Sequence, residues 1–321
     1  DIFIDKEDSI FFIGTESQGL AIYKLNNNFG LDSLYENDSW GVGKDIRSVY
    51  YDNGNQLVYA LDRFGHVYHE YLPNILDGSL DTLSQINCGA TSTHATKFVV
   101  DEQGVGGNPD IYALYKHNAD NELYLDESFS EMKQISYNFL FDFENDVNFH
   151  DCFDAFNQND TLFYGVSDLH YNQNKIFISN LDSTVYSYGV FEENGNILDL
   201  DTLESKVLSI YSFNDFVFSG LKDSGCYITL LNGDSFSDDA NHKLHIAQGL
   251  SVLDIYYDVE NSKLLLSCGS GGVLVYNWDG QSFNFNEQVR LFSSYAFTAK
   301  VFEHLIYIAT KNGLEIFNIG D

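Results

Sequence analysis

The chain repeats one unit. A short apolar strand, about five mostly polar residues that usually include a glycine, and a second apolar strand recur along its whole length. The unit reads Ile10-Phe11-Phe12-Ile13 to Gly19-Leu20-Ala21-Ile22-Tyr23, then Leu57-Val58-Tyr59-Ala60 to Gly65-His66-Val67-Tyr68. It returns as Phe216-Val217-Phe218-Ser219 to Gly225-Cys226-Tyr227-Ile228, as Leu264-Leu265-Leu266-Ser267 to Gly272-Val273-Leu274-Val275-Tyr276, and as Leu305-Ile306-Tyr307-Ile308 to Gly313-Leu314-Glu315-Ile316-Phe317. Weaker copies, Ile111–Leu114 to Glu122–Tyr124 and Ile176–Ser179 to Thr184–Tyr186, bring the number to seven. Repeated hairpins at such a period restrict the chain to a propeller or a solenoid.

The surrounding runs complete the unit. A further strand-like run precedes each hairpin: Ile2–Ile4, Ile46–Tyr51, Ala95–Val100, Leu162–Tyr171, Val207–Phe213, Ser251–Tyr257 and Ala296–Phe302. More polar runs follow, such as Leu83–Ile86, Lys243–Ala247 and Glu287–Phe292. Three apolar strands and a polar outer one are what a propeller blade needs. With 26 Phe and 22 Tyr against a single Met, the composition favours strand, and no sustained 3.6-residue stripe predicts a helix. Pro73 and Pro109 fall between repeats, where a missing amide does no harm.

The expected fold is therefore all-β: a seven-bladed β-propeller forming one domain over residues 1–321. Its blades are placed at about 1–40, 44–87, 92–136, 160–204, 206–248, 250–292 and 294–321, with an insertion over 137–160. Intervals between equivalent hairpin positions are 41 to 47 residues at both ends of the chain, but 57 from Gly65 to Glu122 and 62 from Glu122 to Thr184. The last hairpin ends at Phe317, too close to Asp321 for an outer strand. That blade is expected to keep three strands, to be closed by a segment outside this sequence, or to accept a partner's strand on its edge.

The hairpins with Gly-Leu-x-Ile-Tyr/Phe resemble LVIVD-type repeats, and Val273-Leu274-Val275-Tyr276-Asn277-Trp278-Asp279 resembles the WD40 strand that ends in Trp-Asp. The resemblance is to the architecture of the WD40-type β-propeller superfamily. Only one repeat carries Trp-Asp, and Gly65-His66 sits in a different strand from the WD40 Gly-His. The resemblance implies a scaffold for binding, assembly or catalysis without choosing among them.

Charge narrows the partners. Against 16 Lys and Arg stand 48 Asp and Glu, a formal charge of −32. A phosphate backbone would be repelled, which argues against nucleic acid, and anionic membrane surfaces are disfavoured for the same reason. No run approaches the roughly 18 apolar residues that span a bilayer. Acidity serves solubility, and it would also attract a basic protein or peptide. Asn37-Asp38-Ser39 and Asn159-Asp160-Thr161 fit the glycosylation acceptor pattern, and a secreted or extracellular setting is favoured over the cytoplasm. The four cysteines form no CxxC and read as free thiols.

Few residues suggest chemistry. His66-x-x-His69 and His242-x-x-His245 point to opposite faces if on strands, so neither pair suits one metal. Asn118, Asp120 and Glu122 alternate oxygen ligands in a long hairpin turn and form a weak calcium candidate, as do Asp199 and Asp201; no other cofactor is expected. Gly41-Val42-Gly43-Lys44 and Gly269–Gly272 lack a complete P-loop, and no GxSxG elbow occurs. The insertion interleaves aromatics with acids, and Phe143, Asp146, Phe149, His150, Asp151 and Phe153 are the candidate binding residues. The preferred reading is a non-enzymatic interaction scaffold whose partner is a basic protein or peptide. Alternatives are a propeller hydrolase or lyase acting on carbohydrates or esters through channel-mouth carboxylates, and a structural subunit of a larger assembly.

Overall fold

A computed structural model describes residues 1–15, 19–28, 30–35, 45–62, 67–78, 84–86, 94–101, 110–118, 128–137, 150–154, 163–164, 167–179, 186–192 and 197–318. The chain divides into two compact units, 1–162 and 163–321. Among the described residues the secondary structure is almost entirely strand, in seven antiparallel sheets whose strands pair in chain order.

The first unit holds three sheets. The first is Ile2–Asp5, Ile10–Thr15, Gly19–Leu25 and Leu31–Tyr35; the second is Ile46–Asp52, Leu57–Asp62, Val67–Tyr71 and Ser84–Ile86. The third is His94–Asp101, Asp110–Asn118, Ser128–Tyr137 and His150–Asp154. The second unit holds four. Leu169–Asn172, Lys175–Ser179, Ser187–Glu192 and Ile197–Thr202 make the fourth sheet. In the fifth, Val207–Phe213, Phe216–Leu221 and Gly225–Asn232 are covered by Lys243–Ile246. Asp254–Asp258, Lys263–Ser267, Val273–Asn277 and Asn286–Leu291 form the sixth, and Ala296–Phe302, Leu305–Thr310 and Gly313–Asn318 the seventh. The last sheet thus has three strands.

Five hairpins lie where the repeat puts them, and the two weak copies differ. Asp110–Asn118 pairs with Ser128–Tyr137 through a nine-residue ladder from Asp110↔Ser136 to Asn118↔Ser128, and the expected partner run 122–124 lies outside the described residues. That second strand carries Ser, Glu, Lys and Gln between its apolar residues, so the more apolar run at 122–124 was the more visible of the two. His150–Asp154 then adds to Ser128–Tyr137, so the third sheet continues beyond residue 136 into the stretch expected to be an insertion. In the fourth sheet the partner of Lys175–Ser179 begins at Ser187, where Ser187–Glu192 supplies a buried apolar run. The run 162–171 is not one strand, since its innermost strand starts only at Leu169. The innermost strand of the sixth sheet likewise starts at Asp254, not Ser251. A six-residue helix, Leu72–Asp77, stands between the third and fourth strands of the second sheet. It has Pro73 in its first turn and Gly78 left-handed at its end, signals too short for a periodic stripe to reveal.

Apolar residues on facing sheets make the cores. Phe12, Leu20 and Ile22 of the first sheet meet Ile46, Val49 and Val58 of the second. Between the fifth and sixth sheets the core centres on Trp278, which is buried, with Phe213, Phe216, Phe218, Tyr257 and Phe285 at ring-centroid distances of 4.6–5.9 Å. Most of these pairs are edge-to-face, the geometry that ring quadrupoles favour. The indole N–H donates to the Ser282 carbonyl at 2.7 Å, so no polar group is stranded.

A second device joins neighbouring sheets, and it repeats. An Asp at the start of an innermost strand reaches across to the start of the innermost strand of the next sheet. Asp1 accepts from Val49 N–H at 3.1 Å and Ser48 Oγ at 3.3 Å. Asp168 accepts from Ile210 N–H at 2.9 Å and, with its other oxygen, from Leu169 N–H at 2.9 Å. Asp254 accepts from Thr298 Oγ1 at 2.6 Å. Each receiving strand carries a β-bulge at this point, at Ile46/Ser48, Val207/Ser209 and Ala296/Thr298. At the first two seams the carboxylate takes up a backbone N–H just beyond the bulge, and at the third a threonine hydroxyl. At the seam between the fifth and sixth sheets Ser209 Oγ donates to the Val252 carbonyl at 3.0 Å. Gly220 leaves room there, because a Cβ on it would sit 2.2 Å from that hydroxyl oxygen.

Replacing Asp168 with Ala leaves the Ile210 and Leu169 amides without their acceptor. Unfolding by urea should show a loss of about 2–4 kcal/mol, and a loss under about 0.5 kcal/mol would contradict the seam's role. The buried tyrosines set an alkaline limit. Burial, with Asp5, Asp8 and Asp52 nearby, pushes Tyr51 up to about 12, and burial with Glu303 pushes Tyr307 up to about 12, from 10.0. Tyr188 and Tyr276 are pushed further the same way, chiefly by burial. Below pH 10 both states are protonated and the stability is complete. Above it the unfolded chain ionises first, so urea midpoints should fall between pH 10 and 12. A flat profile across that window would show these phenols to be wet.

Candidate interaction surface

The connection from the sixth sheet to the seventh, Phe292-Ser293-Ser294-Tyr295, is short, and it is held at several points. At its start, Gly272 has φ +77°, and a Cβ there would lie 2.1 Å from the Leu291 carbonyl oxygen. Only glycine lets the end of the outer strand lie so close to the turn. Arg290 Nε donates to the Gly271 carbonyl at 2.7 Å, which fixes the guanidinium 5.2 Å above the Phe292 ring. In the middle, Ser294 donates its N–H (3.3 Å) and Oγ (2.9 Å) to Glu315 of the last strand. At its end, Gly269 and Ala296 exchange backbone bonds of 3.1 and 2.9 Å, and the Tyr295 ring lies against Gly269.

So held, the connection presents aromatics outward. Phe292 is 75% exposed, the highest value of any large apolar side chain among the described residues. Phe297, 42% exposed, is the extra residue of the Ala296/Thr298 bulge, packed 5.0 Å from Tyr295. The bulge therefore serves two ends: Thr298 turns inward to Asp254 while Phe297 turns out. Val289, on the strand leading in, is exposed as well. Aromatic rings with an arginine stacked on one of them, backed by a pinned backbone, are the composition of interface anchors.

The residues singled out by sequence fall elsewhere. His150, Asp151 and Phe153 lie on the edge strand of the third sheet, opposite Tyr137, Ser136 and Gln134. Phe143, Asp146 and Phe149 lie outside the described residues, as do Asp120 and Glu122 of the calcium candidate. Asn118 ends the strand Asp110–Asn118. Asp199 and Asp201 are engaged in the sheet: Asp199 accepts from Phe236 N–H, and Asp201 from Tyr188 Oη and Lys243 Nζ. His242 and His245 take separate partners, Ser237 Oγ and the Ser224 carbonyl. His69 is buried within its strand. Among the described residues no three His, Cys, Asp or Glu side chains converge as metal ligands would. No single-residue motif marks the Phe292 surface. Its signal in the sequence is three aromatics in six residues, Phe292, Tyr295 and Phe297, placed between two well-formed repeats.

The cysteines in view are structural. Cys226 and Cys268 belong to the Trp278 core, and burial raises both thiols, Cys268 to about 12. Mass-mapped alkylation at neutral pH should leave both unmodified in the native chain and label both in urea; native labelling at rates like those of free thiols would show the core to be open.

No family model matches this sequence, and no curated protein matches it. Solved structures do. The β-propeller domain of Cps50 (Swd1) from Myceliophteria thermophila superposes with a TM-score of 0.63 at 9% identity, covering 99% of this chain and 95% of that one. A chain of the mitotic checkpoint complex gives 0.60 at 8% identity, with 97% and 84% covered. A putative 6-phosphogluconolactonase from Bacteroides uniformis gives 0.68 at 8% identity, with 97% and 92% covered. Likeness at such identities concerns the fold alone, and the fold is a β-propeller.

Proposed function

We propose that this chain is a seven-bladed propeller that works as a non-enzymatic interaction scaffold, binding protein or peptide. The observation that carries the reading is Phe292, an aromatic ring 75% exposed beneath a fixed arginine on an immobilised connection. An exposed ring of this kind gains by burial against another chain, at about 25 cal/mol per Å² removed from water. A chain of the mitotic checkpoint complex and a putative 6-phosphogluconolactonase share the fold, so the fold does not decide between binding and catalysis. Asp1, Asp168 and Asp254, at the starts of innermost strands, are occupied in joining sheets. A mouth-lining catalytic pair would have to be drawn from other carboxylates.

The preferred partner is basic. A charge of −32 steers cations toward the chain, and the acids of 142–154, Asp146 and Asp151 among them, add to the field. The exposed rings then supply the short-range part. An array of basic, neutral and acidic peptides tests this. Basic peptides containing apolar residues should be captured, with capture falling as salt rises. The double variant Phe292→Ser, Phe297→Ser should weaken capture about tenfold with its unfolding midpoint unchanged. Capture indifferent to peptide charge and to both substitutions would overturn the reading.

A further inference from the structure

The first, second and sixth sheets turn from their first strand to their second through loops of one form. Asp5 pairs with Ile10, Asp52 with Leu57 and Asp258 with Lys263, so the loops are Lys6–Ser9, Asn53–Gln56 and Val259–Ser262. Each loop ends on a left-handed residue, Ser9, Gln56 or Ser262, with φ of 57°, 56° and 52°. The carbonyl of that residue accepts from the end of the third strand, from Leu25 N–H at 3.0 Å, Leu72 N–H at 2.9 Å and Trp278 N–H at 3.1 Å. A buried aspartate precedes each loop: Asp5, Asp52 and Asp258 are 6%, 8% and 1% exposed.

A buried carboxylate needs donors, and two of these three take them from the residue three places on. Asn55 gives Asp52 its N–H at 3.2 Å and its side-chain amide at 2.6 Å, and Asn261 gives Asp258 the same two at 3.1 and 2.6 Å. In the first sheet that place holds Asp8, which has no side-chain amide to give. Asp5 Oδ1 accepts from Glu7 N–H at 3.2 Å, but Asp5 Oδ2 is shut off from solvent without a hydrogen-bond partner. What it lacks is the bond that the asparagine makes in the sister turns. The surrounding charges are mostly of the same sign. Glu7 and Asp8 share the turn with Lys6, and Glu7 accepts from Asn53 of the second sheet at 2.9 Å. Tyr51 of that sheet lies in the field of Asp5, Asp8 and Asp52 together. Across its own sheet, the row from Asp5 runs through Ile10 to Lys24 and Asp32. Burial raises the Asp5 carboxyl above its ordinary 3.8, the Glu7 N–H offsets part of the rise, and the charge of Asp8 adds to it.

We propose that Asp5 and Asp8 form a proton-binding pair, in which one proton held between the two carboxyl groups supplies the bond that Asn55 and Asn261 supply in the sister turns. With the proton bound, one acid donates its O–H to the other and the first turn closes as its sisters do. With both acids ionised that bond is missing. The turn is therefore a pH-sensitive element, while its sisters carry an amide that does not titrate. Ser9 passes the effect to Leu25 at the end of the third strand, and Glu7 passes it to Asn53 of the second sheet. A carboxyl raised on folding stabilises the native state fully below its unfolded value of 3.8, and that stability is lost as the pH rises through the raised value. The inference stands independently of the interaction reading.

The test compares urea unfolding of the wild type, Asp8→Asn and Asp8→Ala from pH 3.8 to pH 7. At pH 7 Asp8→Asn supplies the amide and should lower the unfolding constant about tenfold. Asp8→Ala removes the same charge but supplies no donor, and should lower it less. At pH 3.8 the wild type should come close to Asp8→Asn and exceed Asp8→Ala in stability, because alanine leaves the proton nothing to bridge. Asn55→Asp should build a second such pair in the second sheet, with a loss of stability at pH 7 that shrinks toward pH 3.8. Carbon-13 titration of the carboxyl groups should show Asp5 taking up its proton at higher pH in the wild type than in Asp8→Asn. Equal effects of the asparagine and alanine variants at every pH would overturn the proposal, since loss of one charge would then account for both. So would an Asp5 titration unmoved by Asp8→Asn. Calcium that stabilised the wild type at pH 7 but not Asp8→Asn would overturn it too, because a metal and not a proton would then occupy the pair.

Discussion

A sheet can bury both faces against its neighbours only if nothing polar is stranded where the sheets meet. In this chain that condition is met by a carboxylate. The aspartate at the head of one innermost strand crosses to the bulged head of the next and takes up the N–H or hydroxyl there. Removing an acid from water is expensive unless its oxygens are fully used, and Asp168, 6% exposed, uses both. The apolar packing depends on this. Ile46 and Val49, Ile210, and Ala296 and Ala299 lie beside the bulges and inside the cores. A misplaced seam would shift them all, since a one-residue slip turns every side chain to the other face.

The cores differ in how they are filled. That between the sixth and seventh sheets is aliphatic, Leu265, Val273, Val275, Val301, Ile306 and Ile308, which pack as interlocking branched chains. That between the fifth and sixth is aromatic and arranged about one indole. Trp278 sits just past the strand Val273–Asn277, and Asp279 after it does no packing. Its carboxylate accepts Gln281 N–H, Ser282 N–H and Ser282 Oγ, bonds that lower the acid from its usual range and shape the turn that brings Phe285 to the indole and Phe283 to Phe216. The Trp-Asp pair therefore divides its labour: the ring fills the core, and the acid folds the loop that closes over it.

The repeat was legible because burial on both faces demands runs of apolar residues, and runs are visible without knowing what they touch. The strong hairpins, such as Leu264–Ser267 with Val273–Tyr276, follow from this alone. Pairing across polar strands was not legible: Ser128–Tyr137 has few apolar residues, and its nine-residue ladder is backbone chemistry that any side chain permits. The seam acids were in view as Asp1-Ile2, Asp168-Leu169 and Asp254-Ile255, but among 48 acids nothing marked them as joining sheets. The surface around Phe292 was hidden for the opposite reason. An exposed aromatic and a core aromatic look alike in a sequence, and only the path of the backbone between two sheets decides which way the ring turns.

The seams have a further consequence in time. Asp1 to Val49, Asp168 to Ile210 and Asp254 to Thr298 span 48, 42 and 44 residues, so each links a sheet only to its successor in the chain. Loop-closure entropy grows slowly with length, and every such closure is of similar size. Within each unit, then, order can spread from any one finished pair of sheets to the next without waiting for distant segments to meet.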